Sequence, residues 1–234
     1  MRHSRRFVLI SGGKVFVVPS FTGSYSLFGD AKKGYIELYS SGTLTFDGDS
    51  TVDVFLIGGG KQGSQGTIAA NGGAGGAGSA GQSYYEIPVS GAFDISIGSG
   101  GGNTTAFGYT RTAGGGASGG AGATQNTVGT SGSKGVAIPF GGDSSEFTTT
   151  FGGGGGGGGL YCTSSNGGYV TRAPGTGGAV GGGAGGRASS SQVNPGGKGT
   201  ANTGGGGGGG GANLSYRELG SAGGSGLVIV RWGY

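Results

Sequence analysis

Of 234 residues, 69 are glycine, about three in ten where an average protein uses about 7%. Hydrophobic residues make up 32% and charged residues 10%, so the chain lacks both the apolar stock of an ordinary enzyme core and the charge density that solvates a disordered polymer. The formal net charge of +4 comes from scattered Lys and Arg with one cluster at Arg2, Arg5 and Arg6, which argues against the concentrated basic face of a nucleic-acid reader.

The N-terminus pairs a basic start with the apolar run Phe7–Ile10, but Ser11-Gly12-Gly13-Lys14 cuts that run short of the about 7 to 15 residues of a secretory signal. No stretch approaches the about 18 apolar residues of a membrane span, so the expectation is synthesis in a cytoplasm without export by this route and no membrane insertion. Cys162 is the sole cysteine, which excludes an intrachain disulfide framework.

Short alternating stretches predict strands. Phe7–Ile10 and Val15–Val18 form a candidate pair ended by Pro19. Tyr35–Ser40, Thr43–Phe46, Val52–Ile57, Ser83–Val89, Phe93–Ile97 and Leu227–Trp232 follow, each rich in β-branched and aromatic residues. No window has helical period and length, so the expected class is all-β with no α-helix. A calcium site at Asp47, Asp49 and Asp53 is outweighed by the reading of Asp47-Gly48-Asp49 as a turn between two strands.

Glycine is unevenly placed: 7 fall in residues 1–57, 61 in residues 58–226, and Gly233 stands alone after them. Two runs, Gly152–Gly159 and Gly204–Gly211, are eight uninterrupted glycines. Collagen is excluded, since it needs a strict Gly-X-Y period and abundant proline, against five prolines here. A flexible linker would not need the strand that returns at Leu227–Trp232. The ordered alternative is a bundle of polyproline II-type helices, polyglycine II, with three residues per turn and a rise of about 3.1 Å, so that eight residues span about 25 Å. Such a helix has no internal hydrogen bonds, and its backbone must bond to neighbours, which is possible on every side only where Cβ atoms are absent. The two pure runs are therefore expected at the centre and mixed runs such as Gly177–Gly186 at the periphery. The base is expected to be β-sandwich-like, formed by 35–57, 83–97 and 227–232, with the bundle inserted mainly as 58–82 and 98–226.

Gly42-Thr43-Leu44-Thr45-Phe46, then Val52-Asp53-Val54-Phe55-Leu56-Ile57-Gly58-Gly59-Gly60, later Thr200-Ala201-Asn202-Thr203 before Gly204–Gly211, and the closing Gly223–Trp232 carry a resemblance. In this order they resemble the glycine-rich domain of bacteriophage and prophage tail-fibre proteins, over about residues 35 to 234. The resemblance implies a virion-borne, receptor-binding tip adhesin that presents loops from a sandwich of polyglycine helices to a host bacterial surface receptor, protein or glycan. Other tail-fibre subunits would be partners, and host lysis would release the protein. Lys61-Gln62-Gly63-Ser64-Gln65 departs from the family's continued glycine run, so the first helix is expected to be short or decorated. Residues 1–34 lie outside the resemblance and are read as an N-terminal arm or attachment strands.

Catalytic patterns lack their context. Gly116-Ala117-Ser118-Gly119-Gly120 fits G-x-S-x-G, but His3, the only histidine, lies upstream of it instead of downstream. The GxGxxG matches have no βαβ unit around them, Gly-Lys is never followed by Ser or Thr, and ligands for a transition metal are lacking. The expectation is a non-enzyme without cofactor or metal. Function is expected between the glycine runs, at Tyr161, Tyr169 and Arg172 in one connector and Tyr216 and Arg217 in another, where Tyr and Arg supply rigid contact area and charged donors. These tyrosines could instead fold over the bundle to cap its backbone. Three other functions compete: a purely structural fibre spacer, an ice-binding protein, for which Thr148-Thr149-Thr150 is too isolated an array, and an extracellular ligand-binding glycine-rich domain as in anaplastic lymphoma kinase receptors.

Overall fold

The computed structural model describes residues 18–234; the strand expected at Phe7–Ile10 and nearly all of Val15–Val18 lie outside the described residues. The chain is mostly strand and loop, and among the described residues its helical elements are two 3-10 turns, Pro139–Gly142 and Ser145–Phe147.

An antiparallel sheet of six strands forms the base: β1 (Ser20–Phe21), β2 (Tyr25–Gly29), β3 (Gly34–Leu38), β4 (Gly42–Ile57), β5 (Gly81–Ile95) and β10 (Leu227–Trp232). β4 is its long axis, with β5 along one edge and β1 and β10 sharing the other. β10 lies between β4 and β3, and all six of its residues are buried. Alternation then sorts its side chains to two faces. Val228, Val230 and Trp232 join Ile36, Leu44, Val54 and Leu56 on one face, against Ala106 of the hairpin β6 (Thr104–Ala106) and β7 (Tyr109–Arg111). Leu227 and Ile229 join Phe55 and Ile57 on the other, under Phe140 and Phe147 of the 3-10 turns.

Three expectations are corrected here. Thr43–Phe46 and Val52–Ile57 are one strand, β4, because Asp47-Gly48-Asp49 is absorbed as a register shift between Phe46 and Ser50 instead of turning the chain. Ser83–Val89 and Phe93–Ile97 fuse in the same way into β5, which runs through Gly91 at φ 76° and tolerates Pro88 because it is an edge strand. The expected boundary at residue 34 falls inside the sheet: β1 pairs with β4 and β2 with β3, so residues 20–29 are part of the base and not a separate arm.

The buried cation Arg231 pins the face that carries Leu227 and Ile229. Its Nε meets Asp53 Oδ2 at 3.0 Å, its Nη1 meets Asp143 Oδ1 at 2.7 Å, and the guanidinium lies 4.0 Å from the Phe140 ring centroid. Burial works against the Arg231 charge, but the hydrogen bonds to Asp143 and Asp53 outweigh it and raise its pKa. The hydrogen bond from Arg231 likewise holds the Asp143 carboxyl below the usual carboxylate range. A depressed carboxylate pKa stabilises the fold above the unfolded value, about 4, and loses that contribution as pH falls through the folded value. Asp143→Asn is therefore expected to lower stability at pH 7 by less than about 1 kcal/mol, because this carboxylate is half exposed, and the gap to wild type should close in melts below about pH 4.

Above the sheet, the chain passes through ten glycine-rich segments, numbered in chain order: 58–66, 72–80, 115–123, 129–137, 152–159, 173–179, 181–187, 194–200, 204–211 and 218–226. They contain almost no regular strand, and their backbone bonds go to one another. In segment five, Gly154, Gly155 and Gly156 donate to Ser133, Gly76 and Gly183, and Gly157, Gly158 and Gly159 then repeat the cycle to Thr130, Gly73 and Gly186, at 2.7 to 3.0 Å. Partners thus recur every three residues. Its carbonyls accept from three further segments, through Gly206, Gly178 and Gly120, so segment five has six neighbours. Segment nine follows the same rule: Gly206, Gly207 and Gly208 donate to Gly153, Lys61 and Gly197, and it accepts from segments two, seven and ten. The other eight segments form a closed ring around these two, each bonded to the next.

The pattern lays the ten out as three rows: three-two-one, four-five-nine-ten and six-seven-eight. Both pure glycine runs are fully buried at the centre, and the mixed runs are peripheral. The physical reason is steric: a Cβ at Gly155 would stand 2.0 Å from Gly207 O, and one at Gly154 1.9 Å from Ser118 O. Peripheral segments need glycine on the inner side alone. In segment one Gly60, Gly63 and Gly66 are buried while Lys61, Gln62, Ser64 and Gln65 are exposed, which accounts for the interruption of its glycine run.

Candidate functional site

Successive segments run antiparallel, as the register of their bonds requires: between segments four and five, Gly154 bonds Ser133 and Gly157 bonds Thr130. Connectors therefore alternate between the two ends of the bundle. The sheet occupies one end, where segment one leaves β4 and segment ten enters β10. Five connectors, 67–71, 124–128, 160–172, 188–193 and 212–217, gather at the far end.

The largest is a hairpin of β8 (Leu160–Thr163) and β9 (Tyr169–Arg172), closed by a turn with Gly167 at φ 79°. Leu160 and Cys162 point down into a small apolar cluster with Ala123 and Ala212, so alternation turns Tyr161 to the other face. There Tyr161 stacks on Tyr169 across the diagonal, with centroids 5.7 Å apart and rings 9° from parallel. Tyr169 is 67% exposed. Arg172, half-buried, ends the hairpin and donates from Nε to Gln125 O at 3.0 Å.

Connector 212–217 is shaped by buried Asn213. Its Oδ1 accepts from Ser215 N and Tyr216 N, at 2.9 and 2.6 Å, and its own amide donates to Tyr216 O. This turn pushes Leu214, Tyr216 and Arg217 outward, with Tyr216 65% exposed. All five residues singled out in the sequence, Tyr161, Tyr169, Arg172, Tyr216 and Arg217, thus come from two connectors at one end.

The connectors are tied sideways into one layer. Ala69 N donates to Asn213 O, Asn71 bridges Thr124, Gln125 Nε2 donates to Thr163 O, Tyr161 N donates to Ala212 O, and Asn213 Nδ2 donates to Ser189 O. Ordering entropy is therefore largely spent in the free protein, which favours binding by rigid groups. Sequence reading missed the contributions of 67–71, 124–128 and 188–193, which bring exposed Ile68 and Val128 to the same end. Counting runs would have found them, since every connector that follows an odd-numbered run must lie there.

The remaining candidates are engaged elsewhere. Asp53 accepts Glu86 N and the Arg231 guanidinium at the base. Ser118 lies in peripheral segment three, with neither the preceding strand nor the following helix of a nucleophile elbow, and its carbonyl accepts Ser133 N. Among the described residues no group of three or more His, Cys, Asp or Glu side chains could hold a metal ion, and no helix is long and apolar enough to cross a membrane. No family model matches the chain, and no curated protein matches it.

Proposed function

We propose that this chain is a non-enzymatic, virion-borne tail-fibre domain of a bacteriophage, in which a β base carries a bundle of polyglycine II helices and the far-end connectors contact a receptor on the bacterial surface. The three-residue recurrence of backbone partners along segments five and nine supports the polyglycine II reading, because a helix of three residues per turn directs every third amide to the same neighbour. A single observation carries the receptor-binding reading: five connectors converge on the end opposite the sheet and present Tyr161, Tyr169, Tyr216 and Arg217 as one laterally bonded layer. Rigid aromatic area surrounded by Ser, Thr and Asn is the composition of a recognition surface. The base, at the other end, is then the side that faces the remaining fibre subunits.

Adsorption of the purified chain to host cells tests this. Tyr169→Ala combined with Tyr216→Ala is expected to abolish adsorption and to leave the thermal midpoint nearly unchanged, since both rings are about two-thirds exposed and surface truncations cost within about 0.5 kcal/mol. A fall in the midpoint by many degrees would mean that the rings cap the bundle. Absence of adsorption by the unaltered chain would favour a stiff structural spacer.

A further inference from the structure

Beside the far-end layer, on the outer face of the row six-seven-eight, an open groove of about 430 Å³ runs between segments six and seven. That volume lies within the about 300 to 1,000 Å³ of small-molecule sites. The three-residue period builds it. On segment six Ala173 and Thr176 face out, on segment seven Ala184 and Arg187 do, and Gly175 and Gly185 lie between them. Small residues at these positions leave a floor of Pro174, alanine methyls and glycine backbone that a larger side chain would fill.

Two cations flank this floor. Arg187, exposed, is the last residue of segment seven, and Arg172 precedes segment six, so antiparallel packing brings both to the end of the groove nearest the connectors. Among the described residues the ion pairs belong to Arg231, and neither Arg172 nor Arg187 has a carboxylate partner. The Nε of Arg172 is held by Gln125 O, which fixes the guanidinium plane while its two terminal amino groups keep their donors. Arg187 makes no side-chain hydrogen bond within the described residues and is free to close on a ligand. Guanidinium forks match the oxygens of carboxylates and phosphates, and an apolar strip of methyls and backbone suits the C–H face of a sugar ring.

We infer that this groove is a binding site for an acidic saccharide, a sugar carrying a carboxylate or phosphate that Arg172 and Arg187 clamp while the ring lies on Pro174 and Ala184. The inference rests on the receptor-binding reading only for the source of the sugar, a bacterial surface glycan.

Titration of the 15N-labelled full chain with galacturonate, galactose 6-phosphate, galactose and inorganic phosphate tests it. Galacturonate or galactose 6-phosphate is expected to shift the amide signals of Gly175, Gly185 and Arg187 at millimolar concentration, and whichever binds more tightly identifies the oxyanion. Galactose and inorganic phosphate should each bind about tenfold more weakly, as each lacks half of the recognised chemistry. Arg187→Gln should weaken acidic-sugar binding about tenfold without moving the melting curve, since this side chain holds nothing within the fold. Arg172→Gln should likewise weaken acidic-sugar binding about tenfold, and it also removes the hydrogen bond to Gln125 O. Shifts of equal strength with inorganic phosphate would reduce the site to a simple anion site, equal shifts with galactose would remove the role of the arginines, and no shift with either acidic sugar would end the proposal. Sugar binding without adsorption to cells would overturn the receptor-binding reading and leave the groove standing, and adsorption without sugar binding would do the reverse.

Discussion

Gly157→Ala is expected to destabilise the protein by more than about 3 kcal/mol, enough to leave it unfolded or insoluble, although it adds a single methyl group. The new Cβ would stand 1.8 Å from Ala121 O and 2.3 Å from Ala121 C. Both are backbone atoms of a neighbouring segment, so no side chain can rotate away. Segment three would have to move outward as a whole, and that would break Gly120 N to Gly155 O and Ala123 N to Gly158 O, at 2.7 and 2.8 Å. Buried amides left without partners add about 1 to 3 kcal/mol each. Gly48→Ala is the matched control: its Cβ would meet nothing within 4 Å, and its φ is outside the left-handed region, so stability should stay within about 0.5 kcal/mol of wild type. Chemical denaturation of the two variants measures the contrast, and a Gly157→Ala protein that folds with a loss below about 1 kcal/mol would mean that the segments are not packed backbone to backbone.

Arg231→Met is expected to cost about 3 to 5 kcal/mol, the range for breaking a buried ion pair by removing one partner. Methionine preserves much of the apolar contact with Phe140 and Phe147 but leaves Asp53, whose side chain is 19% exposed, without its cation. Asp143, 46% exposed, can recover water, so the deficit concentrates at Asp53. Arg231→Met with Asp53→Asn should then be more stable than Arg231→Met alone, because asparagine keeps an oxygen for Glu86 N, 2.9 Å from Asp53 Oδ1, without burying a charge. Urea midpoints of the single and double variants test the coupling. Equal stability of the two would assign the role of Arg231 to packing against the aromatic rings.

Part of the base was open to sequence reading because its signals are local. β10 carries six consecutive strand-forming residues, and the second half of β4 ends in the apolar run Val54–Ile57, buried throughout. The fused strands were not readable, since Asp47-Gly48-Asp49 and Gly91 are turn signals wherever a partner does not hold the backbone straight, and here the ladder between β4 and β5 does so. β2 was missed for the opposite reason. Tyr25, Leu27 and Phe28 are exposed on an edge strand, so no buried face imposes an alternating pattern on Tyr25–Gly29. At the candidate site Tyr161, Tyr169 and Tyr216 stood out by residue type, but Asn213, Ile68 and Val128 did not, because their importance comes from which connector lies beside which.

By itself the sequence determined that this protein would have no conventional core above its strands and that Gly152–Gly159 and Gly204–Gly211 would lie where backbones meet, since a Cβ at those positions excludes a neighbour on any side. It equally determined a closing strand buried on both faces, because Leu227–Trp232 has no polar side to present except Arg231. Only the tertiary structure decided which of the ten segments neighbour which, which far-end connectors lie side by side, that Arg231 meets Asp53 and Asp143, and that Arg172 and Arg187 flank one groove. The reason is that glycine carries no side chain with which to encode a partner. The recurrence of backbone partners every three residues sets the spacing of the bonds, but the order of the segments is settled by chain reversal at each connector and by the side chains placed there.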